Sequence, residues 1–508
     1  MLDSASVGEP LSRRSFIRWV LTTGAAMGCP IPAKAAAEEN KPAAPGAVLH
    51  SESHAVCHQV RDEERLPIAP VSRKVDLVIV GGGPSGLAAA DRAQDSDFLL
   101  LEKEDHLGGN ALTEDWEGRK YCTGSAWATL FNPEVEAMFK RWKFDMKPIT
   151  SLDATCFNGT WVPGFWDGNP ESPVFDQVPF SDEVRRNMRK FCKDVSTIDV
   201  EKDKKKLDRT SFSELLRPYG PELLAYWDTY APSNWGCSAA ESSSFIGVQC
   251  AKEWTVWPRF SFEGGLGVGS QRVYETIAES RRSRLETGAT VYKVKKVGKR
   301  VRVSYFKGGE PITVEAKAVV MATPKFITWR VVEGLPEKQR QAMASMKYAP
   351  FMVYNLCFSR VVYNQAYENF VVGAKHFTDF VPADFVTHGK EGDLSRPQVL
   401  TVYAPQKQED RFVFLDDKAT LAKAHAAVDE LGEMFPSWKE HLKEVRVYRR
   451  GHAMPMSMPG FYTGLQPAAR KDFGRVFFAA SDADCDVSDF AFAGLNGIHA
   501  ADKALKLL

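Results

Sequence analysis

The chain has 508 residues, 44% of them hydrophobic, enough to bury more than one core; length alone is compatible with about three domains. Lys plus Arg and Asp plus Glu total 65 each, so overall charge gives no reason to expect nucleic acid or an anionic membrane as partner. No apolar run reaches the roughly 18–20 residues that span a bilayer, and an 11% aromatic share argues against disorder beyond the ends.

The first residues read as an address. Ser12-Arg13-Arg14-Ser15-Phe16 precedes a modestly apolar stretch from Trp19 to Met27, then Ala33-Lys34-Ala35, a small-x-small cleavage pattern. The arginine pair followed by Phe16 is similar to a twin-arginine signal, which exports proteins already folded, so residues 1–35 are expected to be removed and the protein to be periplasmic. Cys29 after Gly28 is a minor candidate for lipid attachment, with poor flanks in Ala26 and Met27. Cleavage at this point leaves eight cysteines without a pairing pattern, read as free and mostly buried.

Residues 36–73 show no clear periodicity and read as a linker or surface arm. Within them His54, Cys57 and His58 lack the partner pair that a metal centre needs, so no metal is expected. Val75–Val80 is a glycine-bounded apolar run, hence a buried strand; a helix follows over 86–94 and a second strand over 97–101. Helices are expected at 132–142, 182–195 and 211–226, the last opening on a capping box from Ser211 to Glu214. The charged run 201–206 reads as a solvated loop or helix end. Strands return at 290–306, 313–322, 351–359 and 399–404, a helix at 419–435, and a last strand at 475–480 before a terminal helix.

Gly81, Gly83 and Gly86 carry the G-x-G-x-x-G spacing between a strand and a helix, and Glu102 closes the next strand. Gly81 permits the turn, Gly83 lets a pyrophosphate approach, and Gly86 lets helix and strand pack. The helix that opens on Pro84 offers free N–H groups to phosphate from Ser85 onward, and Glu102, next to Lys103, can accept ribose hydroxyls.

NAD and FAD both use this unit. Leu107-Gly108-Gly109 follows Glu102 at the spacing of FAD enzymes of the glutathione-reductase-like superfamily, and here the chain resembles the flavin-containing amine oxidase and phytoene-desaturase group. The likeness continues in Phe262–Gly267, in the adenine-side strand at Thr290-Val291, in Ala318–Pro324 with Thr323, in Gly474–Asp482, and in Ala493-Gly494-Leu495-Asn496-Gly497. It implies an α/β fold with FAD as cofactor. A Rossmann-like FAD-binding domain (74–130, 262–330, 465–508) would be interleaved with an α+β substrate domain (131–261, 331–464). It also implies that Asp482 meets the ribityl–phosphate region and that residues 494–496 begin the helix beneath the flavin.

Three departures bear on activity. Asn110 stands where the group often has Arg after the Gly-Gly doublet. Arg330 stands where amine oxidases carry a Lys linked through water to the flavin, with Lys325 and Trp329 nearby. Gly494 falls where the count places one tyrosine of the aromatic cage. Arg330 is a poor base, and His452 is the best-placed titratable group, so these two are the catalytic candidates. Aromatic substrate-side candidates are Trp227, Tyr230, Trp235, Trp254, Trp257, Tyr348, Tyr354, Phe461 and Tyr462; Cys485 is read as a buried thiol. The resemblance implies hydride removal from a small organic substrate, first of all an amine. The alternatives are desaturation of an apolar polyene or tetrapyrrole, and an electron-transfer subunit without a small substrate. Oxygen, a quinone or a periplasmic cytochrome would accept the electrons.

Overall fold

The first long strand, Val71–Val80, ends in an unbroken apolar run and lies in the middle of a largely parallel sheet, where both faces are covered. The computed structural model describes residues 47–254, 258–390 and 392–508. The twin-arginine motif, the cleavage pattern, Cys29 and Trp257 lie outside them, as does the side chain of Trp254.

Phe98–Leu101 and Leu285–Glu286 extend this sheet on one side of the first strand, and Glu310–Met321 flanks it on the other. Val476–Phe478 pairs in parallel with the Glu310–Met321 strand. An antiparallel meander then carries the sheet through Arg300–Lys307 to Ala289–Val297. Helix Pro84–Arg92 covers one face and packs against the terminal helix Phe490–Leu505.

A second eight-stranded sheet runs in the order Ala47–Ser51, Leu442–Pro455, Tyr348–Phe358, Gln398–Pro405, Asp379–Pro382, Asn369–Val371, Ala154–Phe157, Thr160–Pro163. Tyr348–Phe358 is buried at every position: helix Asp417–Met434 supplies apolar cover to Met352, Tyr354, Leu356 and Phe358 on one side, and Trp116, Tyr121 and Cys122 to Phe351, Val353 and Cys357 on the other. The arm is more ordered than its composition predicts. Ala47–Ser51 is an edge strand of this sheet, and Ala55–Arg61 is a helix. Residues 201–206 belong to a helix, Val200–Leu207, because Asp199 caps its start by accepting from the Lys202 amide at 3.1 Å. The helix expected over 211–226 is two: Ser211 accepts from the Glu214 amide at 3.4 Å, but Gly220, at φ 100, breaks the run, and a second helix continues to Trp235.

Candidate active site

Between the two sheets lies a cavity of about 860 Å³, whose walls contain Gly81, Gly83, Pro84, Ser85, Glu102, Lys103, Gly109, Asn110, Val291, Thr323, Arg330 and His452. Its dinucleotide end is built from backbone. Gly81 turns at φ 103, and a Cβ on Gly86 would stand 1.8 Å from the Gly81 carbonyl, so turn and helix meet at a distance only glycine allows. Gly83 caps the helix with no side chain over its first amides. Glu102 is 7% exposed; its carboxylate accepts from the Gly82 amide at 2.6 Å and the Glu104 amide at 2.9 Å. Burial raises its pKa, and those two amides oppose the rise. A glycine cradle, an open helix start and a buried carboxylate one strand over fit the ribose and pyrophosphate of a dinucleotide.

Other residues of the expected cofactor set stand behind the wall. Gly86 and Gly108 shape the turns. The Asp482 carboxylate is 1% exposed and engaged inward: Oδ1 pairs with Lys325 Nζ at 2.5 Å, while Oδ2 accepts from the Lys325 amide at 2.8 Å and the Tyr348 hydroxyl at 2.5 Å. At this level Ala480 and Ser481 face the cavity instead. A Cβ on Gly494 would meet Met138 and Trp142 at 2.9 Å, so a tyrosine there would drive into the neighbouring helix. The cage count at Gly494 therefore does not describe this cavity, which Phe490 and Ala493 line. Leu495 is buried, and Asn496 donates to the carbonyls of Ala480 and Asp484 at 3.0 Å, fixing the loop before the helix.

Arg330 sits partly exposed in the wall, stacked over Trp329 at 4.1 Å and donating to the Arg61 carbonyl at 3.3 Å. Lys325, fully buried against Asp482, cannot take the place of the flavin-linked lysine. His452 stacks on Phe326 at 4.0 Å. Burial, with Arg411, His58, Arg330 and Arg61 nearby, lowers its pKa to about 3, so its imidazole is neutral. Of the aromatic candidates Tyr230, Trp235 and Tyr348 line the cavity. Trp227, Tyr354, Phe461 and Tyr462 are core residues, and Cys485 is buried beside Gln466. All eight cysteines among the described residues are free, Cys57 alone being less than fully buried.

The far end holds charges the sequence reading did not single out. Arg259 pairs with Glu368 and Asp153 at 2.5 Å each. Asn369–Val371 and Asp379–Pro382 run antiparallel with Phe370 opposite Asp379, which puts Glu368, Phe370 and Asp379 on one face. Asp379 is 1% exposed; Thr378 donates to its Oδ1 at 2.6 Å, while Oδ2 is buried and accepts no hydrogen bond. Ser233 stands beside it and, with Thr378, opposes the rise of its pKa. Burial pushes both Glu368 and Asp379 above the usual carboxylate range. Two carboxylates thus pair with one guanidinium, and Asp379 adds a third beside Glu368. Arg450, 7% exposed, also lines the cavity, donating to the Thr123 carbonyl at 2.5 Å and hydroxyl at 2.9 Å. Asp379 opens a strand, and Asp153 and Glu368 each stand one residue before one, a pattern that marks a buried polar site only once the facing strands are known.

A parallel sheet with a glycine-rich turn and a buried strand-end acid, joined to a second mixed sheet across a deep cavity, is the glutathione-reductase-like α/β fold of FAD enzymes. Residues 84–504 match the family described as flavin containing amine oxidoreductase. The chain belongs to that family and is an FAD-dependent oxidoreductase. It is 22% identical over 516 residues to oxidoreductase PigB of Serratia sp. (strain ATCC 39006), covering 85% of this chain and 75% of that one. A triple mutant of putrescine oxidase superposes with a TM-score of 0.67 at 17% identity, over 86% of this chain and 100% of that one. A putative protoporphyrinogen oxidase from Exiguobacterium sp. 255-15 does so at 0.65 and 16% identity, over 87% and 100%.

Proposed function

We propose that this enzyme oxidises a small amine, removing a hydride from the carbon next to nitrogen. The observation that carries this reading is Asp379, a buried carboxylate with one oxygen unpartnered in the cavity wall. Burial makes its ionised form costly unless a cation meets it. An ammonium-bearing molecule is the small substrate class that supplies one. Tyr230, Trp235 and Phe351 give the same cavity apolar walls for the carbon skeleton, and the likeness to putrescine oxidase agrees with this choice.

Bound FAD supplies the two-electron acceptor. The residues that would hold it are Gly81, Gly83, Ser85, Glu102 and Val291. Around it the protein's tasks are to orient the carbon, exclude water and keep charge in register. The nitrogen next to the reacting carbon must be neutral at transfer, so turnover should rise with pH as the ammonium form is depleted. His452, neutral throughout, takes no proton from it at ordinary pH. Oxygen, a quinone or a periplasmic cytochrome would reoxidise the flavin.

Anaerobic titration with primary, secondary and polyamines, following loss of flavin colour, tests the reading. Asp379→Asn should raise the amine concentration needed at least tenfold while leaving flavin content unchanged. Bleaching by a carotenoid or porphyrinogen and by no amine would replace it with the desaturase reading, which the protoporphyrinogen oxidase likeness supports. No bleaching by any small molecule would favour an electron-transfer subunit. The proposed route is twin-arginine export after FAD is bound. Normal export of an Arg13→Lys, Arg14→Lys double variant would refute it.

A further inference from the structure

The arm does more than lead into the fold. Its strand Ala47–Ser51 pairs in parallel with residues 445–449 at the edge of the substrate sheet. The chain then crosses the cleft and its helix, Ala55–Arg61, packs against the Lys325–Val331 helix and the Ala289–Val297 strand of the cofactor sheet. Both ends of the crossing are pinned. On the substrate side Arg449 donates to the Ser51 hydroxyl at 2.8 Å, and Glu52 stands 3.8 Å from the buried Arg450, the carboxylate nearest that guanidinium. On the cofactor side the Ser53 amide donates to both oxygens of Glu104, at 3.0 and 3.2 Å, and Lys103 Nζ donates back to the Ser53 carbonyl at 3.2 Å. Arg330 reaches the Arg61 carbonyl, and Tyr292 donates to the Pro67 carbonyl.

Ser53, His54, Cys57, His58 and Arg61 line the same cavity as Glu102, Lys103, Val291 and Thr323. The arm is therefore a wall of the dinucleotide end, although the region that matches the family begins only at residue 84. We propose that residues 47–61 form a strap across the cleft that closes over the ribose–pyrophosphate stretch of FAD and sets the rate at which the cofactor leaves. Hydroxyl, imidazole and guanidinium donors on its inner side suit ribose hydroxyls and phosphate oxygens. A cofactor beneath a crossing tied to both sheets can leave only when one tie opens, so the strap acts on the off-rate more than on the contacts already made by the glycine cradle.

The test uses the full-chain holoenzyme and two ways of loosening the strap. Glu104→Ala removes the acceptor of the Ser53 amide. Leu49→Asp removes apolar packing on the substrate sheet at a residue outside the cavity wall. FAD release is followed as recovery of free-flavin fluorescence on dilution, and iodoacetamide modification of Cys57 is read by mass of its peptide. Both variants should release FAD about tenfold faster than the parent, with Glu104→Gln, which keeps one acceptor, in between. Cys57 should be alkylated several times more slowly with FAD bound than after flavin is stripped. An unchanged release rate in Leu49→Asp, or Cys57 alkylation indifferent to FAD in the unmutated protein, would overturn the proposal. The second measurement decides even where a variant does not fold.

Discussion

The two ends of the cavity hold charge by opposite means. At the dinucleotide end the buried Glu102 has both carboxylate oxygens engaged by backbone amides, and specificity rests on how closely chain can approach chain. At the far end Glu368, Asp379, Asp153 and Arg259 form a side-chain cluster with a carboxylate oxygen left over. The first end is complete in itself and needs a ligand of fixed shape. The second leaves a buried carboxylate oxygen without a partner, the feature on which the proposed amine binding rests. On the proposed reading, binding the constant cofactor falls to backbone geometry and selecting the variable substrate to side-chain charge.

Breaking the geometric end should have the largest effect. Gly86→Ala puts a Cβ 1.8 Å from the Gly81 carbonyl, so the helix must move away from the turn. Overpacking of this kind costs about 1–3 kcal/mol or more, and flavin content after purification should fall to near zero. Glu102→Ala leaves the turn intact and removes one charge-assisted partner of the ribose, worth roughly 1.5–3 kcal/mol. FAD affinity by equilibrium dialysis should fall about ten- to a hundredfold. A change under twofold would mean that this carboxylate only braces the Gly82 and Glu104 amides.

The electrostatic end can be probed without substrate. Burial raises the folded-state pKa of Glu368 and of Asp379, so each binds a proton more tightly folded than unfolded. Their contribution to stability is complete below the unfolded carboxylate pKa of about 4 and is lost as pH rises towards neutrality. Asp379→Asn should therefore raise Tm more at pH 8 than at pH 5, and an equal rise at both would place its charge elsewhere than in the cavity wall. The smallest effect is expected at His452. With a pKa lowered to about 3, it has no ionisation to contribute between pH 5 and 9. His452→Gln should change kcat/KM by no more than about threefold with an unaltered pH profile, since the residue acts through stacking. Loss of an inflection near pH 6.5 would restore it as an acid or base.

These contrasts also explain what could be read from sequence. The glycine turn, Glu102 and the parallel strands are local: spacing and apolar runs a few residues long determine them. The same holds for the helix caps at Asn132, Ser181 and Ser211, each of which accepts from an amide three residues on. Asp379 and Glu368 become a site only through strand pairing and through Arg259, over a hundred residues earlier in the chain, which no spacing rule reaches. The arm looks like a linker in sequence because its order comes from pairing with residues 445–449, not from periodicity of its own. Counting residues from a motif also misplaces side chains. Gly494 lies in the expected helix, yet its Cβ direction is towards Met138 and Trp142.

The packing of the terminal helix has a consequence for how the protein is made. A Cβ on Gly497 would stand 2.0 Å from the Ser85 carbonyl, so the terminal helix seats directly on helix Pro84–Arg92. The carboxylate that joins Lys325 and Tyr348 likewise comes from Asp482, 157 and 134 residues further along the chain. During synthesis the glycine turn leaves the ribosome early but lacks its supporting layer until residue 497 and its neighbours have emerged. At about 5–20 residues per second, the turn waits roughly 20–80 seconds for its partner. Cofactor capture is thus deferred until residue 497 and its neighbours are available, and a nascent chain stalled before Phe490 should retain no flavin.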